Sequence, residues 1–147
     1  MRVKCVSNNP QNAAATHKYL GSSTGTNQST YLLTIDKEYA VYATARIGKE
    51  TIYLICDDAQ GEEELLAYGG EPDPAWYDAN LFEILDSWTD PSWQTAQGTI
   101  WTRDGQTMSF PEFVEDASRF YHKLLEGEPK EVETFLRYVD RYSKPHA

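Results

Sequence analysis

The spacing of apolar residues changes character several times along this chain. At the start, Val3 and Cys5 alternate with polar neighbours, which predicts a short strand over 1–6. Residues 7–30, SNNPQNAAATHKYLGSSTGTNQST, are polar, with Tyr19 and Leu20 as the only sizeable apolar groups, and read as a long loop with one turn around Tyr19. From Tyr31 the run YLLTIDKEYAVYATARI is rich in β-branched and aromatic residues and reads as strands. Approximate alternation there puts Tyr39, Val41 and Ala43 on one face and Tyr42 on the other. IGKE marks a hairpin turn with Gly48 as its permissive residue. TIYLICDD, almost continuously apolar, predicts a central strand covered on both faces. AQGEEELLAYGGEPDPA reads as a long exposed loop, and residues 79–85 fit a helical turn or a strand equally well. Asp104-Gly105, between two extended runs, is the strongest hairpin signal in the chain.

The period then switches to that of a helix. Ser109 to Glu112 is an S-x-x-E capping box with Pro111 in the first turn. Phe113, Val114, Ala117, Phe120, Tyr121 and Leu124 follow at helical spacing, and Gly127 is a fitting stop. Pro129 can open a second helix whose apolar face is Val132, Phe135, Leu136 and Val139. The expected fold is a single α+β domain. A strongly bent antiparallel sheet, SH3-like in one form, spans residues 31–108 with the first strand added, and a C-terminal helical hairpin over 109–142 packs on one side.

A chain of 147 residues can bury a usable core, and 13% aromatic residues set it apart from disordered acidic chains. No apolar run approaches the ~20 residues that span a bilayer. The first residues lack the apolar stretch of a secretory signal, so a cytoplasmic protein is expected. Cys5 and Cys56 both sit in apolar settings and read as two buried thiols rather than a disulfide.

Charge changes the picture more. From Glu50 to Thr102 there are twelve carboxylates and no Lys, Arg or His, so this one segment accounts for the formal charge of −10. Such a field attracts cationic surfaces and repels nucleic acid and anionic membranes. His17, His122 and His146 are scattered, and no nucleophile, phosphate-loop, zinc or calcium motif is present, so neither an enzyme nor a cofactor is expected. Asp57 and Asp58, adjacent at the end of a strand, face opposite ways and are more readily turn-capping groups than ion ligands. The candidate partner-binding residues are Asp57, Asp58, Glu62, Glu63, Glu64, Glu71 and Asp73 for charge, with Trp76 and Tyr77 as packed anchors. Two rivals stand beside docking: an SH3-like module that binds a peptide in an aromatic groove, and a small metal-dependent enzyme using Asp57, Asp58 or His122.

Read in order, LTIDKEYAVYA, IYLICDD, PAWYDANLFEILD, Trp93 and SFPEFVEDASRFYHKLLEGEPKEVETFLRY resemble a family of small, uncharacterised bacterial proteins. Its pattern is an L-T-x-G-K-x-Y-x-V-Y strand, an aromatic strand ending in D-D or D-E, a P-x-x-Y/W-P-A-x-L-F-E block and an F-P-E-W/F helix. The resemblance covers roughly residues 31–142. This chain departs from the pattern at Asp36, where the family often has Gly, and at Asp78, where it often has Pro. Such proteins look like immunity proteins of polymorphic toxin systems. The resemblance therefore implies a non-enzymatic inhibitor that neutralises a cognate protein toxin, and the charge adds the expectation that it does so by occluding a basic surface. It brings no active site with it.

Overall fold

The computed structural model describes residues 1–10 and 30–144. The polar stretch around His17 and Tyr19, and His146, lie outside the described residues. Strand β1 (Arg2–Cys5) is the middle of a three-stranded antiparallel sheet, between β2 (Glu38–Ala40) and β6 (Phe82–Asp86). A five-stranded antiparallel sheet has the order β5 (Ala75–Asp78), β4 (Glu50–Ile55), β3 (Ala43–Ile47), β8 (Gln106–Ser109), β7 (Gln94–Gln97). The described residues also form four α-helices: α1 (Glu62–Tyr68), α2 (Pro111–Val114), α3 (Ala117–Leu125) and α4 (Pro129–Tyr142).

Strand β4 explains how these layers stack. Its side chains alternate, so Ile52 and Leu54 enter one core with Phe113, Phe120, Leu124, Phe135 and Val139 of the helices. Tyr53 and Ile55 enter a second core with Val3, Cys5, Tyr39 and Phe82 of the small sheet. Helices cover one face of the large sheet and the small sheet covers part of the other. The continuous apolar run of β4 is what a strand buried on both faces requires. The α+β class with antiparallel pairing is as the sequence predicts, but the strands divide between two sheets rather than forming one bent sheet.

The division happens at Val41–Tyr42, and it corrects the alternation read for that run. Tyr39 and Val41 face the small-sheet core, whereas Ala43 joins Tyr42 on the helix side. The chain leaves one sheet and enters the other between β2 and β3, so the period slips by one residue and Ala43 changes face.

Four further expectations are corrected. Asp104-Gly105 does not close a two-residue hairpin. Strand β8 pairs instead with β7, and residues 98–105 form a longer connection closed by a Gly98 N–H to Gly105 C=O bond of 2.8 Å. That length lets Trp101 fold back edge-on against Trp76, with ring centroids 5.2 Å apart. Ser109 does not cap a helix either: it ends β8, and its hydroxyl donates to the Tyr42 carbonyl at 2.6 Å. The expected first helix is broken, because the Asp116 carboxylate accepts from Arg119 N–H and starts α3 anew after the short α2. Finally, EEELLAY is not loop but α1, seated by Leu65, which is 2% exposed.

The second helix stands as read, opened by Pro129 with Phe135 and Val139 fully buried. Its far end is pinned by Asp90, whose carboxylate is buried and accepts from the Tyr142 hydroxyl at 2.9 Å, from Ser92 and from Arg141. Cys5 and Cys56 are buried free thiols. Among the described residues no helix is long and apolar enough to cross a membrane.

Candidate docking surface on the acidic stretch

Just past the end of β4 lie Asp57 and Asp58, whose side chains go to different places. Asp57 is 1% exposed. It accepts from the Tyr77 hydroxyl at 2.6 Å and the Ala59 N–H at 3.0 Å. Desolvation pushes its carboxyl above the usual range, although these two bonds favour the charged form. Asp58 is half-buried and accepts from the Thr34 hydroxyl at 2.6 Å, the Lys37 ammonium at 2.8 Å and the Tyr39 hydroxyl at 2.9 Å. Desolvation works against its charge, but Lys37 and the two hydroxyls outweigh it and hold the carboxyl below the usual range. Both aspartates therefore build the end of the strand.

Trp76 and Tyr77 are 1% and 0% exposed. Trp76 packs among Trp101, Phe113 and Tyr121 on the helix side, and Tyr77 packs edge-on to Tyr31 in the small-sheet core. This corrects their assignment as docking anchors. A β-strand covered on both faces has no side on which a side chain can reach a partner.

The rest of the acidic run lies around α1. Three glutamates at its start, Glu62 to Glu64, complement the positive end of the helix, and the Gly69 N–H closes its last turn on the Leu65 carbonyl. Glu62 turns inward to accept from the Ala40 N–H at 2.9 Å and to face Arg2 at 3.7 Å. Glu63 and Glu64 are exposed, as are Glu71 and Asp73 beyond the helix, and none of the four makes an ion pair among the described residues.

The loop after α1 is held rather than free. The Tyr121 hydroxyl donates to the Pro74 carbonyl at 2.9 Å, and the Glu71 side chain lies over Gly127, where any Cβ would overlap it. Gly127, at φ +78, could not accept a side chain without strain in any case.

Most of the other carboxylates of the segment are paired, hydrogen-bonded or buried. Asp78 caps the Ala79–Leu81 turn through Asn80 N–H, Glu83 pairs with Lys4, Asp86 accepts from Trp88 N–H, and Asp90 holds α4. Glu50 sits at the opposite end of β4. The carboxylates of the segment that are both exposed and without an ion pair among the described residues are thus four, on and after one short helix.

Two apolar groups that the sequence reading missed stand among them: Tyr68 is 88% exposed and Leu66 is 42% exposed. The available signal was the run of three acids followed by LLAY and a glycine, which is a helix start and stop. As a helix, the segment can bury only one stripe, so Leu65 goes in and its neighbours face water. His122 is exposed on α3, with the Ser118 hydroxyl 3.4 Å from Nδ1. Among the described residues no three His, Cys, Asp or Glu side chains are placed to share a metal ion.

No family model, curated protein or solved structure matches the chain.

Proposed function

We propose that this is a non-enzymatic binding protein, an immunity protein acting in the cytoplasm, which neutralises a cognate toxin by covering a basic surface. The carrying observation is the set of four exposed carboxylates, Glu63, Glu64, Glu71 and Asp73, unpaired among the described residues and close in sequence to a tyrosine that is 88% exposed. Large exposed aromatics supply affinity when a partner buries them, and unpaired surface charge of one sign supplies steering and selects a cationic face such as a nuclease cleft.

The resemblance to immunity proteins gains support from its two departures. Asp36 has φ +70, the left-handed conformation that glycine adopts freely, and Asp78 has φ −62, the value that proline fixes. At both positions the backbone suits the residue that the family pattern contains. The rival peptide-binding module loses Trp76 and Tyr77 as groove-lining groups, because both are interior.

The test is association with the product of the neighbouring gene, measured by calorimetry at low and high salt. Combined Glu63→Lys and Glu64→Lys should weaken binding and flatten its salt dependence, and Tyr68→Ala should weaken it at both salts. Unchanged affinity and salt slope after charge reversal would remove this mechanism. Glu62 is left intact in this design because it holds Ala40.

A further inference from the structure

Among the described residues four strands lie at sheet edges, and three of them are protected. β2 has only three residues and carries Glu38. β6 bears Glu83 and Asp86, and its register slips at Leu85. All four residues of β5 are buried. Each of these features keeps another strand from adding to the sheet. β7 has neither charge nor proline, pairs with β8 without a register slip, and is exposed except at half-buried Ala96.

One hydrogen bond fixes where the backbone groups of β7 point. The Gly98 N–H donates to the Gly105 carbonyl at 2.8 Å, continuing the β7–β8 register. Backbone groups alternate sides along an antiparallel strand. Gln94, Ala96 and Gly98 therefore direct theirs at β8, and Thr95 and Gln97 direct theirs outward. Those outward N–H and C=O groups have no hydrogen-bond partner among the described residues. Beyond them the donors are already taken: Trp93 N–H by the Asp90 carbonyl at 2.9 Å, and Thr99 N–H by the Thr102 carbonyl at 2.8 Å. The edge thus offers two donors and two acceptors, placed symmetrically about Ala96.

Such an edge is its own complement. Laid antiparallel on a second β7, Thr95 of each copy meets Gln97 of the other, and four N–H···O=C bonds form. The two Ala96 residues meet on the two-fold axis at a non-hydrogen-bonded position, where side chains approach closest and a methyl fits.

Charge selects the same arrangement. The Gln94 end adjoins α2, which packs on β7 and is followed by Glu115. The Gln97 end adjoins Arg46, aligned with it through Gln106, and Arg103, whose carbonyl accepts from the Gln97 amide at 3.4 Å. Asp104 is the one carboxylate in that connection. Glu115, Arg46 and Arg103 are exposed and make no ion pair among the described residues. Antiparallel pairing sets the acidic end of one copy beside the basic end of the other, whereas parallel pairing sets like beside like.

We propose that a second copy of this chain docks on β7, joining the two large sheets into one across a two-fold axis at Ala96. This does not rest on the docking reading of α1.

Sedimentation velocity over a concentration series tests it, together with amide hydrogen exchange on the full chain. A monomer–dimer equilibrium is expected. The Thr95 and Gln97 amides should exchange fast when dilute and slowly when concentrated, with the Ala96 amide protected at both. Thr95→Pro removes an outward donor and spares the β8 ladder, so that chain should fold and stay monomeric. Should it fail to fold by circular dichroism, Ala96→Lys, which sets like charges on the axis, carries the same expectation. Arg103→Glu should weaken the dimer by up to about fivefold, and Glu115→Arg in the same chain should recover it.

A chain that is monomeric up to about 1 mM overturns the proposal. So does exchange at Thr95 and Gln97 that ignores concentration, a dimer retained by the folded Thr95→Pro or Ala96→Lys chain, or an Arg103→Glu loss that Glu115→Arg does not recover.

Discussion

Two parts of the acidic stretch look alike in sequence and differ in what they do. Asp57, Trp76 and Tyr77 combine a carboxylate with aromatic rings, and so do Glu63, Glu64 and Tyr68. The first group is 0–1% exposed and tied together by a 2.6 Å hydrogen bond between Tyr77 and Asp57. The second stands on a seven-residue helix with its charges unpaired and its tyrosine 88% exposed. The same residue types therefore hold structure together beside strands covered on both faces and stand exposed on a helix buried along one stripe. Composition gives the sum of the two, and only the backbone separates them.

The comparison breaks most sharply at the aromatic positions. Trp76→Ala should cost about 3–5 kcal/mol of stability in urea denaturation, because it empties a site ringed by Trp101, Phe113 and Tyr121. Tyr68→Ala should change stability by less than about 0.5 kcal/mol, and its effect should appear only in partner binding. Equal destabilisation by the two would mean that α1 is not the exposed element described.

Next is Tyr77→Phe, which removes one donor from a buried carboxylate. The expected loss is about 1–3 kcal/mol, the cost of leaving a buried polar group without its partner. A neutral outcome in the same denaturation assay would mean that Asp57 finds another donor.

Asp57 and Asp90 should also respond to pH with opposite signs. Desolvation raises the Asp57 carboxyl, so the folded state holds its proton longer than the unfolded chain does. Its contribution therefore falls as pH rises from about 4 through the raised folded value. Burial opposes charge at Asp90 too, but Ser92, Tyr142 and Arg141 outweigh it and lower its carboxyl. Its contribution is present above about pH 4 and is lost as pH falls through the depressed folded value. Measured against wild type, Asp57→Asn should cost less at neutral pH than near pH 4, and Asp90→Asn should cost more. Parallel pH profiles for the two variants would contradict these environments.

The smallest effect expected is a gain. Asp36→Gly should stabilise the protein by up to about 1 kcal/mol in thermal denaturation, because φ +70 strains a residue with a Cβ. A loss would show that the Asp36 side chain contributes more than its backbone costs.

Much of the fold was legible because periodicity reports burial directly. β1, the continuous apolar β4, the Gly48 turn and the Pro129 helix all follow from local spacing and from residues with restricted backbones. The misread places are those where a distant contact overrides a local signal. Ser109 forms a capping box in sequence, yet its hydroxyl is taken by the Tyr42 carbonyl across the sheet. Asp104-Gly105 fits a tight turn, yet Trp101 is drawn back onto Trp76 and the connection lengthens. Ala43 follows the alternation of Tyr39 and Val41, yet the chain changes sheets between them.

The sequence by itself determined that this protein mixes helix with antiparallel sheet and carries its negative charge in one segment. Both follow from residue order and spacing alone. Which carboxylates are spent on structure and which remain exposed was decided by tertiary structure. Pairing brought Tyr77 to Asp57, Lys37 to Asp58 and Arg2 to Glu62, while among the described residues no cation forms an ion pair with Glu63 or Glu64. The physical reason is that a charge is neutralised by whatever lies within a few ångströms of it, and those neighbours come from residues 20 to 60 positions away in the chain.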